Sequence, residues 1–143
     1  MDNWSGFVQS RTRLMQFLAE ARPANPIVLT GDIHSHWVAD LKLDFDDPSS
    51  PTVGTELIGT AVSSGGDGDG SVRADVLALN PHFKFYSNRR GYVRCTLTPA
   101  QLTSDFRTLP YVSRPDAPIE TRATFVVETG RPGAQLTAMG EPQ

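Results

Sequence analysis

An amphipathic stretch that stops at a pair of prolines and gives way at once to an apolar run constrains this chain more than any other feature. From residue 7 to residue 21, Phe7, Leu14, Leu18 and Ala21 fall on one side of a helical projection with Met15 and Phe17 flanking, while Gln9, Arg13, Gln16 and Glu20 face away. The spacing predicts a helix. It must end near Arg22, because Pro23 and the Asn25-Pro26 step disfavour helical dihedrals. Ile27-Val28-Leu29-Thr30 then reads as a short buried strand, opened by Pro26, where a missing N–H is tolerated. Helix, breaker and strand in that order make an α/β unit.

A length of 143 residues with 38% hydrophobic content supports one packed unit, residues 1–143, and is small for a whole metalloenzyme. The formal net charge of -3 and pI near 5.5, with lysines and arginines scattered, give no footprint for nucleic acid or an anionic membrane surface. A single cysteine, Cys95, excludes an internal disulfide framework. No run approaches the roughly 18 apolar residues of a membrane span, and the N-terminus lacks the basic flank and apolar core of a signal peptide.

Further along, Asp40 to Pro51 has loop composition, and residues 53–64 alternate with apolar side chains on both sides, the pattern of a strand covered on both faces. Ser63 to Gly70, SSGGDGDG, reads as a flexible loop whose aspartates lack the ligand spacing and terminal glutamate of an EF-hand. Ser71 to Leu79 is a short helix candidate closed by Asn80-Pro81. His82 to Leu97 reads as a hairpin, with Val93, Cys95 and Leu97 sharing a face that places Cys95 in the core. Thr98-Pro99-Ala100-Gln101 has the residues of a capping-box helix start. Asp105 to Val112 and Thr121 to Glu128 are strands, and residues 130–143 a tail. The expected fold class is α/β with a β-rich second half.

The chemistry centres on Gly31-Asp32-Ile33-His34, directly after the apolar run. Asp offers a hard oxygen and His a borderline nitrogen, a mixture suited to Fe, Mn or Zn. On an extended segment residues i and i+2 point the same way, so Asp32 and His34 would grip one ion at the carboxyl end of a strand. A strand-end Asp capping a turn beside a hydrogen-bonded His fits the same spacing. His36, two residues on, extends that face as a third ligand or a substrate phosphate contact, or else is an exposed loop histidine. No G-x-S-x-G elbow and no Walker-type glycine loop with lysine occurs.

The motifs in order resemble a family. Asp2-x-Trp4-x-Gly6-Phe7, then Thr30-Gly31-Asp32-Ile33-His34-Ser35-x-Trp37-x-x-Asp40-Leu41, is similar to the C-terminal portion of the alkaline phosphatase D (PhoD-like) metallophosphatases. Thr55-Glu56-Leu57-x-Gly59-Thr60, Ser63-Ser64-Gly65-Gly66, Asn80-Pro81-His82-x-Lys84-Phe85, Arg90-Gly91-Tyr92 and Gly130-Arg131-Pro132-Gly133 continue the series in the same order.

That resemblance implies a phosphomonoesterase or phosphodiesterase built on the layered α/β sandwich of metallophosphoesterases, with Fe3+ and Ca2+ in its site and a phosphate ester as substrate. Asp32 and His34 would be iron ligands. Asp2, at the D-x-W-x-G position, would join the metal centre or serve as an acid at the helix start. His36 stands where the family often has a small residue, so no ligand role carries over to it. The family's cysteine and tyrosine iron ligands, with further Asp and Asn ligands and an export signal to the periplasm or exterior, lie upstream of the matched segment. The chain is therefore expected to be a C-terminal piece, with little activity alone and the missing N-terminal half as a partner. The rival expectation is a non-catalytic β-rich interaction module derived from that family.

Overall fold

Two four-stranded sheets account for most of the chain in the computed structural model, which describes residues 4–71 and 73–140. Helix α1, Val8–Ala21, forms where the apolar spacing predicts it, and Arg22 ends it in a left-handed conformation, its N–H donating to the Leu18 carbonyl at 3.0 Å. The first sheet has the order β1 (Ile27–Thr30), β3 (Thr52–Ile58), β2 (His36–Lys42), β4 (Phe83–Ser87), with β1 parallel to β3 and the other pairs antiparallel. Helix α2, Ala74–Leu79, lies between β3 and β4 in the chain. The second sheet is an antiparallel meander of β5 (Arg90–Leu97), β6 (Gln101–Leu109), β7 (Glu120–Glu128) and β8 (Arg131–Met139). No described helix is long and apolar enough to cross a membrane.

The inner faces of the sheets meet in one core. Val38, Leu57 and Phe85 come from the first sheet, and Phe106, Ala123, Phe125, Val127 and Ala134 from the second. Phe85, Phe106 and Phe125 contact one another at centroid distances of 5.2 to 5.9 Å, tilted or edge-to-face as their quadrupoles prefer. A polar latch also ties the sheets. Asp40 on β2 pairs with Lys84 on β4 at 2.6 Å, Asp40 accepts the Ala134 N–H at 3.0 Å, and Lys84 donates to the Ala134 carbonyl at 2.7 Å.

Several expectations need correction. The strand β1 exists but is not buried: it stands at the sheet edge with β3 as its one neighbour, and Leu29 is 64% exposed. The loop expected from Asp40 begins only after Lys42, because His36, Val38 and Asp40 face inward as a strand whose polar members hide the alternation. The strands expected to form the 82–97 hairpin belong to different sheets, β4 pairing with β2 and β5 with β6. Thr98 to Gln101 starts no helix. It makes a tight turn in which Thr98 N–H donates to the Gln101 carbonyl at 2.9 Å and the Thr98 hydroxyl accepts the Gln101 N–H at 3.1 Å. Cys95 is exposed on β5 rather than core. The tail expected from residue 130 is instead β8, whose Ala134 enters the core.

Candidate metal centre

Strand β1 ends at Thr30, and the chain must reverse direction before β2 begins at His36, because β1 runs parallel to β3 while β2 runs antiparallel to it. Residues 31–35 make that reversal. Ile33 N–H donates to the Gly31 carbonyl at 2.9 Å, and both Asp32 (φ 73°) and His34 (φ 54°) take left-handed conformations. The extended geometry expected for the Asp-x-His pair is therefore replaced by a tight bend. Asp and His tolerate this region better than most side chains, but two such residues in a three-residue span is unusual and characteristic of functional loops.

Both residues are exposed, and neither side chain is hydrogen-bonded among the described residues. Their oxygen and nitrogen atoms are free to ligate at the carboxyl end of a sheet strand, where open α/β sheets place their ligands. Among the described residues, no three His, Cys, Asp or Glu side chains converge as a metal-binding group. The donor chemistry fits part of a transition-metal site, since a catalytic ion needs at least three protein ligands. Asp2 lies outside the described residues.

The structure places His36 elsewhere. It is fully buried on β2, its ring edge-to-face with Phe106 at 5.3 Å, so it presents no surface to a substrate phosphate and is no exposed loop histidine. Thr60 N–H donates to Nδ1 at 3.3 Å, which puts the neutral ring's proton on Nε2. Burial holds its pKa down at about 4, against a weaker opposing pull from the Ile58 and Arg107 carbonyls. The folded chain thus keeps this ring neutral while the unfolded chain protonates it near pH 6.5. Because the unfolded state binds the extra proton, this contribution is complete above about pH 6.5 and is lost as the pH falls toward about 4, an effect of about 3 kcal/mol. Urea midpoints at pH 7 and pH 4.5 check this: His36→Phe should lose much less stability between those values than the wild-type chain.

Two residues that carried motif positions but no assigned role close on the same bend. A Cβ built on Gly65 (φ 77°) would lie 3.5 Å from His34 Nδ1 and 3.3 Å from Arg90 Nη2, so the histidine ring rests against the glycine backbone. Arg90 is 6% exposed and donates to the carbonyl of His34. Local pattern offers no sign that this arginine turns inward; only its place in the Arg90-Gly91-Tyr92 motif marks it. The aspartates of the glycine loop are spoken for: Asp67 accepts from Val112 N–H, Ser113 N–H and the Ser113 hydroxyl at 2.7 to 2.9 Å, and Asp69 from Asn88 and Ser71. That loop is anchored by its acids. Trp37 packs between Phe83 and Tyr86 and donates from Nε1 to the Ser35 hydroxyl at 2.9 Å, which steadies the exit of the bend.

A mixed α/β sandwich with an Asp-x-His bend after its first parallel strand matches a known group of phosphatases. The PhoD-like phosphatase profile covers residues 1–106, and the chain belongs to that family. It is 43% identical over 136 residues to alkaline phosphatase D of Bacillus subtilis (strain 168), a match covering 93% of this chain and 23% of the relative. The solved structure described as "Structure of PhoD" superposes with a TM-score of 0.92 at 39% identity, over 99% of this chain and 28% of that one. The chain therefore spans about a quarter of the length of the relatives it matches.

Proposed function

We propose that this chain is the C-terminal segment of a metal-dependent phosphate ester hydrolase and that Asp32 and His34 are its contribution to the metal centre. The observation that carries the reading is the bend itself: a left-handed Asp and a left-handed His, both with unengaged ligating atoms, at the carboxyl end of β1. Membership in a phosphatase family supports a phosphate ester as the substrate. Iron with calcium is the proposed metal complement, and such ions polarise a phosphate ester and acidify a bound water. Asp32 and His34 would hold the iron, and Asp2 is a further proposed contributor. The remaining ligands would come from polypeptide preceding this segment, in an exported protein.

Unsatisfied surface supports that partner. Among the described residues the outer edge of β1 is unpaired, and Leu29 on that strand and Ile33 in the bend after it are 64% and 55% exposed. With Asp32 and His34 as its iron ligands, Asp2 as the one further contributor and the remaining ligands absent, the 143-residue chain should bind Mn2+ weakly and turn over bis-p-nitrophenyl phosphate at close to the uncatalysed rate. Calorimetric Mn2+ binding should vanish in both Asp32→Ala and His34→Ala. Binding that survives both substitutions overturns the ligand assignment. Vigorous turnover by the chain alone overturns the division of the site.

A further inference from the structure

Arg90 opens β5, yet its side chain does not stay with the second sheet. Nη1 donates to the carbonyls of His34 at 2.9 Å and Asn88 at 2.6 Å, and Nη2 donates to the carbonyl of Gly65 at 3.1 Å. Those carbonyls belong to the bend after β1, the turn between β4 and β5, and the glycine loop after β3. One guanidinium therefore joins three chain segments that are far apart in sequence. It is 6% exposed, and none of the ion pairs among the described residues includes it. A buried cation without a carboxylate is costly, and a structural plug at this position would be served as well by an apolar side chain of similar volume. What an apolar side chain lacks is the rigid fork of N–H groups that can fix several acceptors at once.

We infer that Arg90 is a positioning residue for the Asp32–His34 site: it holds the His34 backbone in its left-handed conformation and seats the imidazole against Gly65. This rests on the metal reading proposed above. The carbonyl of His34 is drawn inward to the guanidinium while the residue as a whole stays exposed, so the side chain faces out. Gly65 completes the seat: its φ of 77° suits glycine, and a Cβ there would crowd the guanidinium at 3.3 Å while reaching ordinary contact with the imidazole at 3.5 Å. Groups that fix a metal ligand without touching the metal govern affinity strongly.

The test uses the 143-residue chain with Mn2+ as the probe, comparing wild type, Arg90→Ala and Arg90→Lys by hydrogen exchange and by paramagnetic broadening of amide resonances. In Arg90→Ala, amides of residues 31–35 and 63–66 should exchange about tenfold faster or more, while those of Val38, Phe106 and Val127 keep their protection. Broadening at Asp32 and His34 should require roughly 10- to 100-fold more Mn2+. Arg90→Lys, which keeps the charge but offers one ammonium in place of the fork, should fall between the two. Should Arg90→Ala fail to fold, Arg90→Lys carries both readouts. A folded variant with unchanged loop exchange or unchanged Mn2+ response overturns the assignment, as does uniform loss of protection across both sheets. Absence of broadening at Asp32 and His34 in the wild-type chain overturns the metal reading and this inference together. Broadening that is normal in wild type and survives Arg90→Ala removes only the role of Arg90.

Discussion

Gly91→Ala should destabilise the chain by more than about 3 kcal/mol, enough to leave it unfolded or nearly so at 37 °C. A methyl group on Gly91 would stand 1.9 Å from the carbonyl oxygen of Arg107 and 2.9 Å from its carbon. Neither side can withdraw. Gly91 is registered with Thr108 on β6, β6 is held on its far side by β7, and the Gly91 N–H is engaged with the Ala61 carbonyl at 3.2 Å. Its φ of 153° adds a backbone conformation that side-chain-bearing residues rarely adopt. Gly59→Ala is the matched control, since a Cβ there meets its nearest atom, the Thr30 carbonyl oxygen, at an ordinary 3.7 Å. Urea denaturation of the two variants should separate them widely; a Gly91→Ala midpoint near that of Gly59→Ala would refute the close-approach argument.

The same glycine shows where sequence reading stops. Arg90-Gly91-Tyr92 is visible as a motif, but nothing local says that the glycine faces a neighbouring backbone or that the arginine crosses to the other sheet. Signals that depend on a residue's immediate neighbours were legible: the stop of α1 at Arg22, the short strand β1, and the alternation of Ala123, Phe125 and Val127 on β7. Signals that depend on distant partners were not. The burial of β1 is set by how many strands flank it, and the assignment of β4 and β5 to separate sheets is set by β2 and β6. Strand β2 hid because its inward face carries His36 and Asp40, whose partners Phe106 and Ala134 lie far along the chain. Strand β8 hid because Pro132 and Gly133 imitate a loop; Pro132 is tolerated there because β8 is an edge, and Gly133 because the Asp40 carboxylate would touch a Cβ at 3.0 Å. At the candidate site, residue type alone singles out Asp32 and His34 as proposed ligands, whereas their left-handed backbone has no local signal, because Asp and His occur far more often in other conformations.

Phe106→Ala is the second large effect, at about 3–5 kcal/mol. The ring is fully enclosed and is the point where Phe85, Phe125 and His36 meet, at 5.2, 5.9 and 5.3 Å. Its removal leaves a cavity that two facing sheets cannot close without losing their other contacts, so the cost should lie toward the upper end for this kind of change. Phe106→Leu should recover more than half of the loss, since most of the volume returns. Phe17→Ala, at a ring that is 60% exposed on α1, should shift stability by less than about 1 kcal/mol. The consequence reaches the candidate metal centre through one short path. His36 begins β2 directly after the bend, and Phe106 is the wall against which its ring is held. In Phe106→Ala, hydrogen exchange should therefore accelerate at residues 31–36 more than at the far turn around Thr98, even under conditions where both sheets remain folded. Equal acceleration at the two ends would mean that the core does not position the bend, and that its geometry is set by the loop contacts alone.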